Sequence, residues 1–577
     1  MILKALCDYY DRKSELGEIA PMGFEEKRMP FLVLIDWDGN FVGLQDTRED
    51  KKDKGRRFLV PQSRQRSGSK SYASPNLLWD HCGFVLGRPK DGSPKALEDA
   101  RKQSECFFLE VCKLAQNYPK NRSFSAVRKF LSNPGRLAEA AACENWAECD
   151  KIAGCNVTFK ISGEPDIVCS DPDVRDYVEK SADSGAGANR AVCLVTGARA
   201  EVAVTHSGVT VGNQSGVRLV SFQKNSGYDS YCKSQGENAP ISKSAETKYT
   251  TSLRTMLATG SKNRSRLGNL NVIYWGERET EIESYFGAMF SNFAKDSPDA
   301  SAVEMKNLLD SVRRGVPPHL SNTRFYVLGL EANKARMVVR FWHNASVGEI
   351  GRDIEMHFRD FDIVRHHNDA EALSVINILG GIAFDAKAES LPPKLWGEFI
   401  KSAVSGAPYP RFLQTQCLNR IRADRRINRI RAAILKAYLN RKNRINGNER
   451  EIQMSLDAQN GNIGYLCGRL FAVLEKIQKE AVPGANSTIV DRYYGSASTT
   501  PSVVFGRLMD LSNHHLSKIG NPGRVVSLRK KLGEVFDKIP ASGFPPHLAL
   551  DDQSRFAIGY YHQTRDFFNK SENSEQK

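Results

Sequence analysis

Residues Phe31–Asp46 read FLVLIDWDGNFVGLQD, and this stretch decides the fold class. Phe31–Ile35 is an apolar run of strand-forming residues, Asp38-Gly39 is a turn signal, and Phe41–Leu44 begins a return strand. A second hairpin is expected at Thr323–Ala345, TRFYVLGLEANKARMVVRFWHNA, with Glu331–Lys334 as its turn. Between them, Ala191–Gly197, Glu201–Gly212, Gly216–Gln223 and Asn269–Glu277 carry β-branched runs bounded by Gly and Asn. Residues 98–180 are expected to be mainly helical, with Ala96–Gln116 a clear amphipathic stretch, and Tyr249–Gly260 and Glu283–Phe293 return to helix. Beyond about residue 390 strand signals vanish. Pro392–Gly406, 411–444, Asn462–Ala481, Thr500–Ile519 and Arg524–Ile539 read as successive helices, and the tail 569–577 reads as frayed. The fold class is α+β: a mixed N-terminal region with β-hairpins, followed by an all-α C-terminal helical bundle. Three parts are expected: 1–90 with a basic loop, a mixed body at 91–385, and the bundle at 386–577.

The chain has 577 residues, with 82 Lys and Arg against 67 Asp and Glu, a net charge of +15. Hydrophobic residues make up 40%, enough to build cores and to exclude wholesale disorder. The longest clean apolar run is Phe31–Ile35, far short of the roughly 20 residues a membrane span needs. Charges in MILKALCDYYDRKSE break any signal-peptide apolar stretch, so a cytoplasmic protein is expected. Twelve cysteines include no C-x-x-C pair. Cys143, Cys149 and Cys155 recur at six-residue spacing, but no His lies close enough in sequence to complete a familiar zinc pattern. They read as reduced, mostly buried thiols, and no metal site is expected.

The positive charge is clustered twice. Residues 51–70, KKDKGRRFLVPQSRQRSGSK, set eight cations against Asp53, with Gly55, Pro61 and Gly68 breaking any helix. Such a segment neutralises phosphates and reaches groove edges; a solvated loop is the plain alternative. Residues 411–444, RFLQTQCLNRIRADRRINRIRAAILKAYLNRKNR, hold eleven cations and Asp424 as the one acid, with no Gly or Pro. At 100° per residue, Arg422, Arg425, Arg426, Arg429 and Lys436 fall on one face of one expected helix. Ile427, Ile430, Ile434, Leu435 and Tyr438 fall opposite, while Leu418 and Ile421 do not fit that stripe, which points to a bend or a different buried face at the start. The expectation is a solvent face that tracks phosphates.

Enzyme motifs are missing. There is no Walker A, zincin or EF-hand pattern, and Gly185-x-Gly187 precedes a strand instead of following one. His366, His367 and Asp369 are the best metal-like cluster and leave a metal-dependent nuclease as an alternative; His514-His515 is a second pair. The expectation is a non-catalytic protein without a cofactor.

Several long stretches point further. MILKALCDYYDRKSE at the start, Ile19–Arg48, Pro75–Gly87, Cys193–Gly197, Ser215–Leu257 and Phe325–Ile350 together resemble the large subunit of the type I-C CRISPR Cascade complex, the Csd1 / Cas8c family. Residues 198–213 lack the His-Pro stretch usual after CLVTG, with His206 as its remnant, and Lys243 stands where an acidic residue is more usual. The resemblance implies a subunit of a crRNA-guided surveillance complex. Such a subunit recognises the protospacer-adjacent motif in double-stranded DNA, helps open the duplex, holds the displaced strand, and docks the helicase-nuclease. Implied partners are crRNA, target duplex, the backbone and crRNA-end subunits, the small subunit and the helicase-nuclease, with no membrane; an assembly protein that binds only crRNA and subunits is the other alternative. Target sequence is read by guide pairing. On this chain Lys51, Lys54, Arg56 and Arg57 are expected to hold phosphates, and Arg64, Arg66, Lys70 and Asn76 to approach motif bases. Gln235 and Asn238, in Ser234–Ser242, are candidates to wedge or read bases; an ordinary polar turn is the alternative. Arg422, Arg425, Arg426 and Arg429 complete the expected DNA contacts. The C-terminal helices resemble the family's small-subunit bundle, which can arise by internal translation. Met454 is a candidate start, giving residues 454–577.

Overall fold

A computed structural model describes residues 1–50, 53–64, 66, 71–152, 154–183, 189–223, 229, 231–290, 298–315, 317–366, 369–384, 387, 390–447 and 451–575. It divides into two compact units, one of residues 3–207 and 222–252, the other of residues 208–221 and 253–577.

The first unit runs α1 (Ile2–Glu15), β1 (Phe24–Met29), β2 (Phe31–Ile35), β3 (Phe41–Asp46), β4 (Arg56–Pro61), β5 (Trp79–His81) and α2 (Cys82–Val85). It continues with α3 (Pro94–Asn117), α4 (Arg122–Ser132), α5 (Arg136–Ala141), α6 (Trp146–Asp150), β6 (Asn156–Ile161), α7 (Pro172–Asp183), β7 (Arg190–Val192) and β8 (Arg199–Glu201). The expected hairpin forms: β2 pairs antiparallel with β3, Phe31 opposite Asp46. Its turn is made by Asp36, whose Oδ1 accepts the Asp38 and Asn40 amides at 2.9 and 2.8 Å. Gly39 takes φ +83°, and a Cβ there would run into the α4 backbone at Ala126 and Phe130. The sheet order is β3-β2-β6-β5, with β6 parallel to β2. β6 was not foreseen, because it lies inside a stretch of helical pattern and its partner is remote in sequence. Phe107, Phe130 and Phe159, all fully buried, fill the space between this sheet and α3 and α4.

The second unit takes in β9 (Val209–Val211) and β10 (Gln214–Val217), while α8 (Lys243–Leu257) crosses the division. Then come β11 (Arg264–Leu267), β12 (Leu270–Gly276), α9 (Glu281–Tyr285), α10 (Pro298–Arg314), α11 (Pro318–Ser321), β13 (Arg324–Asn333) and β14 (Arg336–Ser346). β11-β12-β13-β14 form an antiparallel sheet. The β13–β14 turn is Lys334-Ala335, tighter than expected, with Lys334 at φ 53° and Asn333 paired to Arg336. Helices follow: α12 (Val347–Phe361), α13 (Val375–Gly380), α14 (Pro393–Ser405), α15 (Arg411–Asp424) and α16 (Arg429–Asn446). The last are α17 (Ile463–Ala481), α18 (Ile489–Thr499), α19 (Pro501–Leu516), α20 (Pro522–Phe536) and α21 (Leu550–Glu575). The C-terminal region is thus helical among the described residues, as expected, but α18 and α21 add to the expected set, and α21 runs to Glu575, inside the segment read as a frayed tail. α21 is the axis of this bundle. It lies against α17 so closely that a Cβ on Gly464, Gly468 or Gly559 would collide with backbone of the facing helix.

Candidate nucleic-acid interface

In the first unit, β1 and β4 form a two-stranded antiparallel ribbon, with Arg28 opposite Arg57 and Met29 opposite Arg56. Gly55 enters β4 at φ +83°, where a Cβ would strike Pro30 and Thr47. The Thr47 hydroxyl accepts the Arg56 amide at 3.1 Å, which pins the start of the strand. Arg28, Lys54, Arg56 and Arg57 are all exposed at this end of the ribbon. Like charges directly across a ladder repel. Two weak pairs relieve this: Arg57 with Glu26 and Arg28 with Asp53, each at 3.3 Å. Backbone amides, Glu49 first, hold the Asp53 carboxyl below its ordinary range. Glu49 and Asp50 flank Asp53, and among the described residues Lys54 and Arg56 make no ion pair; the open pairs of Arg28 and Arg57 contribute little. Arg28 was missed from sequence because it lies outside the basic run; cross-strand register brings it there. Lys51 and Lys70 lie outside the described residues.

The segment after the ribbon behaves differently. Arg66 donates to both oxygens of Asp80 and, at 2.8 Å, to the Ser74 carbonyl, and its guanidinium sits 4.2 Å from the Phe84 ring centre. Asp80 is 1% exposed and also accepts the Asn76 amide at 2.9 Å. Asn76 is buried, and its carbonyl oxygen accepts the Arg64 amide at 3.0 Å; the Arg64 side chain pairs with Glu110. Of the residues expected to approach bases, Arg66 and Asn76 are thus held by Asp80, while the Arg64 side chain stays 43% exposed beside Glu110. Asp80, a residue the charge count passed over, converts Arg66 into the anchor of the loop.

Gln235 and Asn238 bound a short 3-10 turn capped reciprocally by Ser234 and Glu237. Asn238 Nδ2 donates to the Asp229 carboxylate at 3.4 Å and to the Lys233 and Gln235 carbonyls at 3.3 Å, which ties it into the turn. The Gln235 side chain is half-buried. Backbone strain gathers here: Tyr231, Cys232 and Gln235 take φ of 52°, 59° and 46°. Tyr231 is 94% exposed, an aromatic face presented beside the turn, and no periodicity in the sequence signals it. His206 is buried behind this region, its Nδ1 2.6 Å from the Tyr249 hydroxyl. Lys243 pairs with Glu201.

In the second unit the 411–444 stretch departs most from expectation. It is two helices, not one. Arg425 ends α15 in the left-handed region at φ 51°, and Asn428 caps α16 by accepting the Arg431 amide. The expected solvent face is largely interior. Arg429 is 8% exposed and donates to the Glu371 carbonyl at 3.3 Å; burial lowers its pKa. Lys436 is 4% exposed and donates to the Asp360 carbonyl at 3.0 Å, and burial pulls its ammonium pKa down. Arg431 pairs with Asp424, Arg422 donates to Gln553, and Lys442 meets Asp551 at 2.6 Å. Only Arg425 and Arg426 of the four expected contacts are exposed. The missing counter-charges sit on other helices.

A further basic surface, not foreseen, lies between β9–β10 and β11, where Arg254, Arg264 and Arg266 line a cleft with Gly208, Gly212 and Asn213. Among the metal-like residues, Asp369 accepts the His366 amide at 2.9 Å and so closes a local turn; His367 lies outside the described residues. No helix among the described residues is long and apolar enough to cross a membrane.

No curated protein matches the chain. The model of one family, described as CRISPR-associated protein (Cas_Csd1), matches residues 6–568. That match spans both units and every basic surface described above, so the chain belongs to the CRISPR-associated Cas_Csd1 family.

Proposed function

We propose that this protein is the large subunit of a crRNA-guided type I-C surveillance complex. In this reading it recognises the protospacer-adjacent motif in duplex DNA, helps open the duplex, holds the displaced strand and docks the helicase-nuclease, without catalysing a reaction itself. Its partners are crRNA, target DNA, the backbone and crRNA-end subunits and the small-subunit bundle. The observation that carries the reading is the row of exposed cations Arg28, Lys54, Arg56 and Arg57 on a two-stranded ribbon, in a chain of a CRISPR-associated family. A fixed row of cations on a strand pair positions phosphates. Asp80 holds Arg66 and Asn76, and Tyr231 with Gln235 supplies an exposed aromatic and an amide for bases. Displaced-strand contacts fall to Arg425, Arg426 and the Arg254–Arg266 cleft. An internal start at Met454 yields α17–α21 as a separate small subunit. The test is duplex binding by the guide-loaded complex carrying Arg56→Ala and Arg57→Ala together. Weaker binding with a shallower salt dependence supports the reading; an unchanged slope counts against it.

A further inference from the structure

Cys82, Cys149 and Cys155 converge in the first unit, although Cys82 lies 67 residues from Cys149 in sequence. β5 pairs with β6, His81 opposite Asn156, so Cys82 and Cys155 flank the same rung of the ladder. The Cys82 amide donates to the Cys155 carbonyl at 3.1 Å, which fixes their separation. α6 then delivers Cys149, and the chain turns back through Gly154, at φ +67°, into β6. The thiols lie within 4.8 Å of one another, with Cys82–Cys149 at 3.8 Å and Cys149–Cys155 at 3.7 Å. All three residues are buried, at 6%, 1% and 3% exposure. Cys143, which shares the six-residue spacing, is not a member of the trio.

The spacing has a chemical meaning. Zinc–thiolate bonds of about 2.3 Å in tetrahedral geometry put neighbouring sulfurs about 3.8 Å apart. What points to a ligand is that β5, α6 and β6 bring three buried thiols to one place, all mutually within ligating reach.

We infer that Cys82, Cys149 and Cys155 form a structural site for zinc or another thiophilic divalent cation, with a water or backbone oxygen as the fourth ligand. Binding forms three metal–sulfur bonds and releases the thiol protons to solvent, with no change in oxidation state. The site ties α6 to the β5–β6 edge. β5 contains Asp80, the residue that holds Arg66 and Asn76, so the metal braces the platform on which the basic segment is mounted.

The test uses the full chain, purified without chelator, for elemental analysis, and then the same chain loaded with cobalt. One metal per chain is expected, together with sulfur-to-cobalt charge transfer and the visible bands of a tetrahedral site. Cys149→Ser should lose the metal and Cys143→Ser should keep it. If Cys149→Ser does not fold, the cobalt spectrum of the unaltered chain decides. A chain without stoichiometric metal whose three thiols stay free overturns the inference. So does a disulfide among the three, or a Cys149→Ser chain that keeps its metal.

Discussion

Arg441 meets Asp360 in a buried ion pair of 2.7 Å, each side chain 1% exposed. The rest of the guanidinium is also satisfied, by the Ser402 and Ala407 carbonyls at 3.2 Å and by the Tyr409 hydroxyl at 3.1 Å. Arg444 takes the other Asp360 oxygen at 2.7 Å. A cation from the most basic stretch of the chain is thus a core residue. Removing Arg441 leaves one Asp360 oxygen buried without its partner while Arg444 keeps the other, which costs about 1–3 kcal/mol. Arg441→Met should therefore lower the unfolding midpoint, while the salt slope of DNA binding by the folded remainder stays unchanged. A changed salt slope with unchanged stability would contradict this placement.

Arg56 and Arg57 predict the opposite signature. Both are exposed, and Arg57 has only an open pair with Glu26. Alanine at both should leave stability within about 0.5 kcal/mol. It should reduce the slope of log affinity against log salt by about 0.9 for each phosphate that is no longer neutralised. Arg66→Ala should instead destabilise by a few kcal/mol, because Asp80 is left buried and unpaired. Thermal melts and salt-titrated gel shifts on the three variants separate the roles.

Three buried histidines each face a tyrosine hydroxyl: His206–Tyr249 at 2.6 Å, His357–Tyr409 at 2.8 Å and His562–Tyr465 at 3.0 Å. Burial lowers their pKa values, to about 4 for His206 and about 3 for His357 and His562, with Arg441 and Lys436 adding to the effect at the last two. The ordinary value is about 6.5, so the unfolded chain takes up protons that the native chain refuses. Stability is complete above about pH 6.5 and falls as pH drops from there toward 4, by up to about 1.4 kcal/mol per pH unit for each histidine. Urea midpoints at several pH values in that window measure it. His357→Gln should flatten the slope by about a third.

Gly468 faces the α21 backbone at Phe556 with no room for a Cβ. Gly468→Ala should push α17 from α21 and destabilise the second unit by about 1–3 kcal/mol. An exposed control, Gly506→Ala, has open space around the added methyl and should be neutral or slightly stabilising.

Met454 is exposed and directly precedes the segment leading to α17. If it is an internal start, mass spectrometry of the purified complex finds a product beginning there, and Met454→Leu removes that product while full-length chain remains. Persistence of the product in the variant would exclude this start.

The sequence carried some of this and hid the rest for physical reasons. The Phe31–Asp46 hairpin was legible because Asp36 and Gly39 make its turn locally. The fate of 411–444 was not, since helical periodicity counts only the charges within the helix. Asp360, Asp551 and Glu451, which take Arg441, Lys442 and Arg444, lie elsewhere. α21 escaped notice because Gln553–Gln563 is buried all round, and polar residues there are spent on partners: Tyr560 on Glu475, Gln563 on Arg469. The cysteine trio was invisible because β5–β6 pairing, not spacing, brings Cys82 to Cys149 and Cys155.

Electrophoretic binding of the guide-loaded complex, with and without this subunit, tests the central claim most directly. The duplexes should differ only in the bases beside the target. Loss of preference for one flanking sequence on omission, reproduced in part by Arg56→Ala with Arg57→Ala, is the predicted result. Preference that survives omission would contradict motif reading by this protein.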